Sequence, residues 1–104
     1  MVNKNIGIKH DSDKLVWSLL PLEVLRDVVK VLMYGAKKYA PDNWKYVKPK
    51  ERYYDAGMRH LDAWQAGKNK DPETGLNPIA HAICCLIFLL WHEKEVTQQT
   101  QEKA

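Results

Sequence analysis

The sequence has few of the residues that build specialised sites. Its 104 residues include only two cysteines, adjacent at Cys84 and Cys85, so they cannot close the usual disulfide loop. It contains no Cys-x-x-Cys pair, no Gly-x-Gly-x-x-Gly and no Gly-rich loop ending in Gly-Lys-Ser/Thr. These absences argue against a zinc finger, a dinucleotide-binding fold and a P-loop. Because the cysteines lie inside an apolar run, we expect reduced core thiols and a reducing compartment.

Long apolar runs and a strong charge of one sign are also missing. The longest apolar run, residues 79–91, has 13 residues, whereas a membrane span needs about 20. Residues 1–13 are polar and lack the apolar stretch of a signal peptide. The formal net charge is only +3, too small for a protein that coats long nucleic acid. We therefore expect a cytoplasmic protein with neither a membrane nor long nucleic acid as a partner.

Helical periodicity is what the sequence does contain. From Pro21 to Ala36, apolar residues recur at spacings of three and four, which predicts an amphipathic helix ending before Pro41. A second helix is predicted over residues 52–66, stopped by Gly67, and a third begins near Pro78. No strand pattern is present, so the predicted fold class is all-α.

The chain is expected to form one domain over residues 1–104, because a second would have no room for its own core. Residues 1–14 are predicted to be a weakly ordered arm. Residues 96–104 form a polar tail, either a fraying helix end or a disordered segment.

The third predicted helix indicates self-association. Of residues 79–91, 12 of 13 are apolar, and His81 is the exception. A helix that is apolar all round must be covered all round, and two partner helices in so small a chain cannot do this completely. We therefore expect a homo-oligomer, a dimer or a tetramer, that associates through this helix.

A basic and aromatic segment, residues 37–54, is the first candidate site. It holds six basic residues against two acidic ones, and five of the ten aromatic residues. Cations bind phosphates and aromatic faces stack bases, which suits a nucleotide or a short single strand. The alternative is a solvated basic loop whose aromatic residues anchor it to the core. Nearby, Asp55 and Arg59 are four apart and can pair on the outer face of the second helix, which is the alternative to a phosphate-binding role for Arg59.

An acidic turn and two histidines form the second candidate site. The sequence Asp71-Pro72-Glu73-Thr74-Gly75 is a strong turn signal. Its carboxylates could hold a divalent metal or accept hydrogen bonds from a nucleotide, although the turn would form without any ligand. His60 and His81 lie on the second and third predicted helices, where a buried histidine most often only satisfies a hydrogen bond.

Three stretches carry a family resemblance, over residues 17–90. They are LLPLEVLRDVVKVLMYGAKKYAPDNW, YYDAGMRHLDAW and GKNKDPETGLNPIAHAICCLIFLL, and in this order they resemble the phage-associated dATP/dGTP diphosphohydrolase N-terminal domain family. The resemblance implies a three-helix MazG-like bundle related to the helical NTP pyrophosphatases, acting in a phage-infected bacterial host. It also implies a purine deoxynucleotide ligand, and magnesium or manganese in members that are enzymes.

The family motifs can be placed on this chain, with two departures. The motif residues are Gly35, Ala36, Lys38, Tyr39, Asn43 and Trp44, then Arg59 and His60, then Asp71, Glu73, Thr74 and Gly75, and finally His81. Family members often have Pro-His where this chain has Asn77-Pro78, and often Asn where it has Cys85. If the missing histidine supports hydrolysis, catalysis is in doubt while binding is not.

Two functions follow. The favoured one is sequestration of a purine nucleotide or cyclic dinucleotide without turnover, since the chain is similar in type to phage sponge proteins that counter bacterial defence. Its predicted nucleotide-binding residues are Lys38, Tyr39, Asn43, Trp44, Arg59, His60, Asp71 and Thr74, with no catalytic or metal residue. The alternative is a dATP/dGTP diphosphohydrolase that releases dNMP and pyrophosphate, with catalytic residues His60, Asp71, Glu73 and His81 and with Mg or Mn on Asp71 and Glu73. A third option is a helical module that contacts a protein or nucleic acid through its basic loop.

Overall fold

A computed structural model describes residues 5–103, with side chains described as far as residue 95. It contains three α-helices: α1 at Leu22–Lys38, α2 at Glu51–Gln65 and α3 at Pro78–Lys103. Short 3₁₀ helices lie at Trp17–Leu19 and Asn43–Tyr46. No strand occurs within residues 5–103, so the all-α prediction is confirmed. None of the described helices is long and apolar enough to cross a membrane.

The helix boundaries follow local signals in the sequence. Pro21 lies just before α1, and its carbonyl accepts the first backbone hydrogen bonds of the helix. Gly67, at φ 91°, follows α2 in the left-handed conformation that favours glycine. At the other end of the chain, α3 continues through the polar tail to Lys103, which corresponds to the helical alternative for that tail. Residues 1–4 of the predicted arm and Ala104 lie outside the described residues.

α3 is the central element, because α1, α2 and the second 3₁₀ helix all pack against it. Against α1, Cys84 is buried beside Val28, and its thiol donates to the Val28 carbonyl at 3.4 Å. Burial raises the pKa of the Cys84 thiol to about 12. Both cysteines are free and buried, so the prediction that they lie in the core is confirmed.

α2 and α3 run antiparallel in close contact. Gly57 of α2 lies against Cys85 of α3, so that a Cβ atom at Gly57 would be 3.3 Å from the Cys85 Cβ. One turn away in each direction, aromatic pairs join the same two helices: Tyr53 with Phe88 at 5.1 Å between ring centroids, and His60 with His81 at 4.7 Å. This register determines which side chains of α2 and α3 lie beside one another.

Candidate functional site

The acidic turn, residues 71–75, is organised by the Asp71 carboxylate. Its Oδ2 accepts the backbone N–H groups of Glu73 and Thr74, each at 3.0 Å, and the Thr74 hydroxyl at 3.3 Å. Gly75 has φ 75° and donates its N–H to the Asp71 carbonyl at 2.8 Å. Burial alone would raise the pKa of Asp71, but the backbone N–H bonds outweigh burial and lower it. The predicted turn is confirmed, and Asp71 is the residue that forms it.

Glu73 ties this turn to the end of α1. Its Oε1 accepts from Lys38 Nζ at 2.6 Å and also from the Tyr34 hydroxyl. The Lys38 bond, reinforced by Tyr34, lowers the pKa of Glu73, and the same contacts raise the pKa of Lys38 and of Tyr34. Glu73 is therefore ionised over the physiological pH range and holds the Lys38 cation beside the turn.

Two stacked histidines continue these contacts into α2 and α3. His81 Nε2 shares a hydrogen bond of 2.7 Å with the Thr74 hydroxyl and lies 3.8 Å from Asp71 Oδ2. The His60 ring stacks on His81. Burial and the nearby His81 lower the pKa of His60, so this imidazole is neutral near pH 7. We call the connected residues the polar network: Tyr34, Lys38, His60, Asp71, Glu73, Thr74 and His81.

A cleft of about 540 Å³ lies between the end of α1, the 3₁₀ helix at Asn43–Tyr46 and the first half of α2. Its polar lining includes Asn43, Arg52 and Arg59. Asp55 and Arg59 both line the cleft, and no ion pair within 4.0 Å joins them in the described chain. The alternative in which they pair with each other is therefore not observed, and both residues are exposed where they line the cleft.

The aromatic residues of the cleft differ in what they can offer to a ligand. Trp44 stacks on Phe88 with ring centroids 4.5 Å apart, and its carbonyl accepts a hydrogen bond from His92 Nε2 at 3.0 Å. The interpretation of an aromatic anchor to the core thus holds for Trp44. Tyr39, by contrast, lines the cleft and is 65% exposed, with Lys38 Nζ 5.3 Å from its ring centroid.

The structure divides the predicted nucleotide-binding residues into two neighbouring groups. The cleft contains Tyr39, Asn43, Trp44 and Arg59, whereas Lys38, His60, Asp71 and Thr74 belong to the polar network together with Glu73 and His81. Tyr34 and Gly35 on α1 are neighbours that belong to different groups, and so are Arg59 and His60 on α2. The cleft and the polar network therefore lie side by side.

The predicted residue list missed two side chains. Tyr34 contacts Glu73 of the polar network, and Arg52 is a second cation in the cleft. Tyr34 lies four residues before Lys38, which places both on one face of α1, and that spacing could have identified it. Arg52 is seven residues before Arg59 on α2, which places both on one face of the helix. This spacing could have identified Arg52 as well.

The carboxylates of the acidic turn do not fit a divalent metal by themselves. Asp71 Oδ2 is used by the turn, and Glu73 Oε1 is bound to the Lys38 cation, which would repel Mg²⁺ or Mn²⁺. Among the described residues, no group of three or more His, Cys, Asp or Glu side chains could hold a metal ion. We therefore assign no chemical step to a metal on these residues.

The fold and site define a small all-α protein with a cation-lined cleft beside a polar network. Comparison with known proteins gives its family: residues 4–102 match the family described as dATP/dGTP diphosphohydrolase, N-terminal, and the chain belongs to it. A protein named dATP/dGTP diphosphohydrolase, from Salmonella phage PMBT28, is 39% identical over 85 residues. That match covers 82% of this chain but 29% of the phage protein, so this chain spans about three-tenths of its relative's length. No solved structure matches.

Proposed function

We propose that this chain binds dATP or dGTP and takes part in its hydrolysis to the deoxynucleoside monophosphate and pyrophosphate. The observation that carries the proposal is the juxtaposition of the cleft, which contains Arg52 and Arg59, with the polar network around His60 and His81. Membership of the family and the name of the phage relative support this activity over sequestration.

The cleft provides groups for the nucleotide. Its volume of about 540 Å³ lies in the range of sites that enclose small ligands. Arg52 and Arg59 present planar guanidinium groups that suit phosphate oxygens. The exposed Tyr39 ring offers a stacking surface for a purine, and the Asn43 amide, with both donor and acceptor, suits a base edge.

The polar network provides groups for proton transfer. In the proposed reaction a water oxygen attacks the α-phosphorus, the bond from that phosphorus to the bridging oxygen breaks, and pyrophosphate leaves with the bond electrons. The attacking water must lose a proton. His60 is suited to accept it, because its lowered pKa keeps the ring neutral, and the stacked His81 is oriented by Thr74.

Retention of an unchanged nucleotide is the alternative hypothesis. On this hypothesis the same cleft would bind a purine nucleotide or cyclic dinucleotide tightly and leave it intact.

One experiment separates the two functions. The chain is incubated at high concentration with dATP, dGTP or a cyclic dinucleotide, with Mg²⁺, with Mn²⁺ or with EDTA, and the products are quantified by chromatography. Calorimetry measures binding in parallel. Release of dNMP with an equal amount of pyrophosphate supports hydrolysis, whereas tight binding and full recovery of the ligand support retention.

The matched variants are Arg59→Ala in the cleft and Arg26→Ala on the exposed part of α1. Since charge-assisted hydrogen bonds contribute about 1.5–3 kcal/mol, Arg59→Ala is expected to weaken nucleotide affinity or turnover by roughly 10- to 100-fold, and Arg26→Ala by less than about twofold. Equal effects of the two substitutions, or no binding of any nucleotide by the wild-type chain, would contradict the proposal.

A further inference from the structure

Thr74 lies between a carboxylate and a histidine of the polar network. Its hydroxyl oxygen is 3.3 Å from Asp71 Oδ2 and 2.7 Å from His81 Nε2, and it also accepts the Leu76 N–H at 3.2 Å. The side chains of Asp71 and His81 are only 15% and 12% exposed, so water does not compete freely for these bonds. The protons available within this group therefore decide the direction of each bond.

The Asp71 carboxylate has no proton to donate. Burial raises the pKa of Asp71, but the backbone N–H bonds from Thr74 and Glu73 outweigh burial and lower it, so this group is ionised near pH 7. An ionised carboxylate only accepts hydrogen bonds, and the single proton of the Thr74 hydroxyl must then lie on the Asp71 side. The bond of 2.7 Å between Thr74 and His81 thus requires its proton on Nε2.

The charge of Asp71 favours the same arrangement. Asp71 Oδ2 lies 3.8 Å from His81 Nε2, which is beyond a hydrogen bond but close enough for electrostatic attraction to an N–H group. In the opposite arrangement the Nε2 lone pair would face this negative charge, and no proton would lie between Thr74 and Asp71. A neutral His81 that is protonated on Nε2 has its lone pair on Nδ1.

We propose that Thr74 is a positioning residue that, together with Asp71, holds His81 in the Nε2–H tautomer and leaves Nδ1 as the ring atom that can accept a proton or a hydrogen bond. The His60 ring stacks on His81 with 4.7 Å between centroids, so it covers one face of this imidazole and limits its rotation. What Nδ1 does in catalysis rests on the proposed function, in which the two stacked histidines serve proton transfer. The tautomer itself does not depend on that function.

The tautomer is measured on the full chain, labelled with ¹⁵N at histidine, from two-bond ¹H–¹⁵N correlation spectra at about pH 8.5, well above the ordinary pKa of histidine. The His81→Gln variant identifies the His81 signals. We expect Nε2 to be protonated and Nδ1 to carry the lone pair in a single tautomer, whereas exposed His10 should show an averaged mixture. An Nδ1–H tautomer at His81, a mixture like that of His10, or a ring that carries both protons would overturn the proposal. No nucleotide is present, so this result is separate from whether the chain hydrolyses one.

Two variants test the hydroxyl group of Thr74. Thr74→Val removes it but keeps the side-chain shape and the backbone bonds that Asp71 accepts, so the His81 signals should shift towards the mixture seen at His10. Thr74→Ser retains a hydroxyl and should keep the wild-type tautomer. If dATP or dGTP is hydrolysed, Thr74→Val is expected to lower kcat about tenfold with KM within about twofold, and Thr74→Ser to keep kcat within about threefold of the wild-type value.

Either of two results with these variants would contradict the role of Thr74. One is an unchanged His81 spectrum in Thr74→Val, and the other is an equal loss of kcat in Thr74→Val and Thr74→Ser. Circular dichroism checks that each variant is helical. Should Thr74→Val not fold, the spectra of the wild-type chain and of Thr74→Ser still decide whether His81 has a single Nε2–H tautomer.

Discussion

The two sides of the α2–α3 pair have opposite chemistry. On the side towards α1, His60 and His81 stack and join the polar network, and Phe88 packs on Trp44. On the other side, Met58 and Leu86 are exposed. The same two helices thus bury polar and aromatic groups on one side while leaving aliphatic ones in solvent. The difference shows that the side chains of the candidate site contact one another within a single chain, whereas large aliphatic side chains on the other side stay exposed.

The largest effect on stability is expected from Phe88→Ala, which removes aromatic contacts on the side of the α2–α3 pair that faces α1. Phe88 contacts both Trp44 and Tyr53 and so attaches the cleft wall to α3. Removing a ring that is partly buried should destabilise the chain by about 3 kcal/mol. Urea unfolding measures this, with Leu19→Ala, at an 80% exposed position, as a control expected to stay within about 0.5 kcal/mol. Similar losses for both variants would mean that Phe88 does not anchor the wall.

Gly57→Ala tests the contact between α2 and α3 that both sides share. A Cβ atom there would lie 3.3 Å from the Cys85 Cβ, so the helices must move apart slightly. We expect destabilisation of about 1–2 kcal/mol in urea unfolding, since overpacking outweighs the gain in helix propensity. A variant more stable than the wild-type chain would show that the two helices can separate at no cost.

Gly35→Ala is the control for Gly57→Ala and is expected to raise the free energy of unfolding by a smaller amount. A Cβ atom at Gly35 meets nothing within 4 Å, although Gly35 lines the cleft. Alanine should therefore stabilise the chain by up to about 1 kcal/mol through helix propensity. Gly35→Phe should fold equally well yet reduce nucleotide affinity, because the ring would occupy the cleft. Full affinity in Gly35→Phe would place the ligand elsewhere.

Acid should weaken the polar network in two stages. The folded-state pKa values of His60, Asp71 and Glu73 are all lowered, so the unfolded chain takes up protons first as the pH falls. Their contribution is complete above the unfolded pKa values. It is lost progressively as the pH falls below 6.5 for His60, 4.5 for Glu73 and 3.8 for Asp71.

The histidine stage is a small effect that thermal melts between pH 7.5 and 5.5 can resolve. His60→Gln is expected to reduce the dependence of Tm on pH over this range, whereas His10→Gln, in the exposed segment before α1, should leave it unchanged. The idea fails if the His60→Gln chain has the same pH profile as the wild-type chain.

Local sequence signals determined the helices and the turn. The three-and-four spacing, Pro21, Gly67 and the Asp71-Pro72 turn depend on interactions within a few residues, so α1, α2 and the acidic turn were predicted to within a residue or two. The family motifs also include every residue of the polar network except Tyr34, but fewer than half of the residues that line the cleft. Oligomeric state and metal binding stay predictions.

Only the tertiary structure decided which of those residues meet. Glu73 binds Lys38, 35 residues away, and Trp44 stacks on Phe88 rather than standing free. No local pattern encodes such contacts, because they depend on how α1 and the basic segment fold back against α2 and α3. For the same reason helical spacing left open whether Arg59 pairs with Asp55 or faces a ligand, while in the folded chain both residues line the cleft.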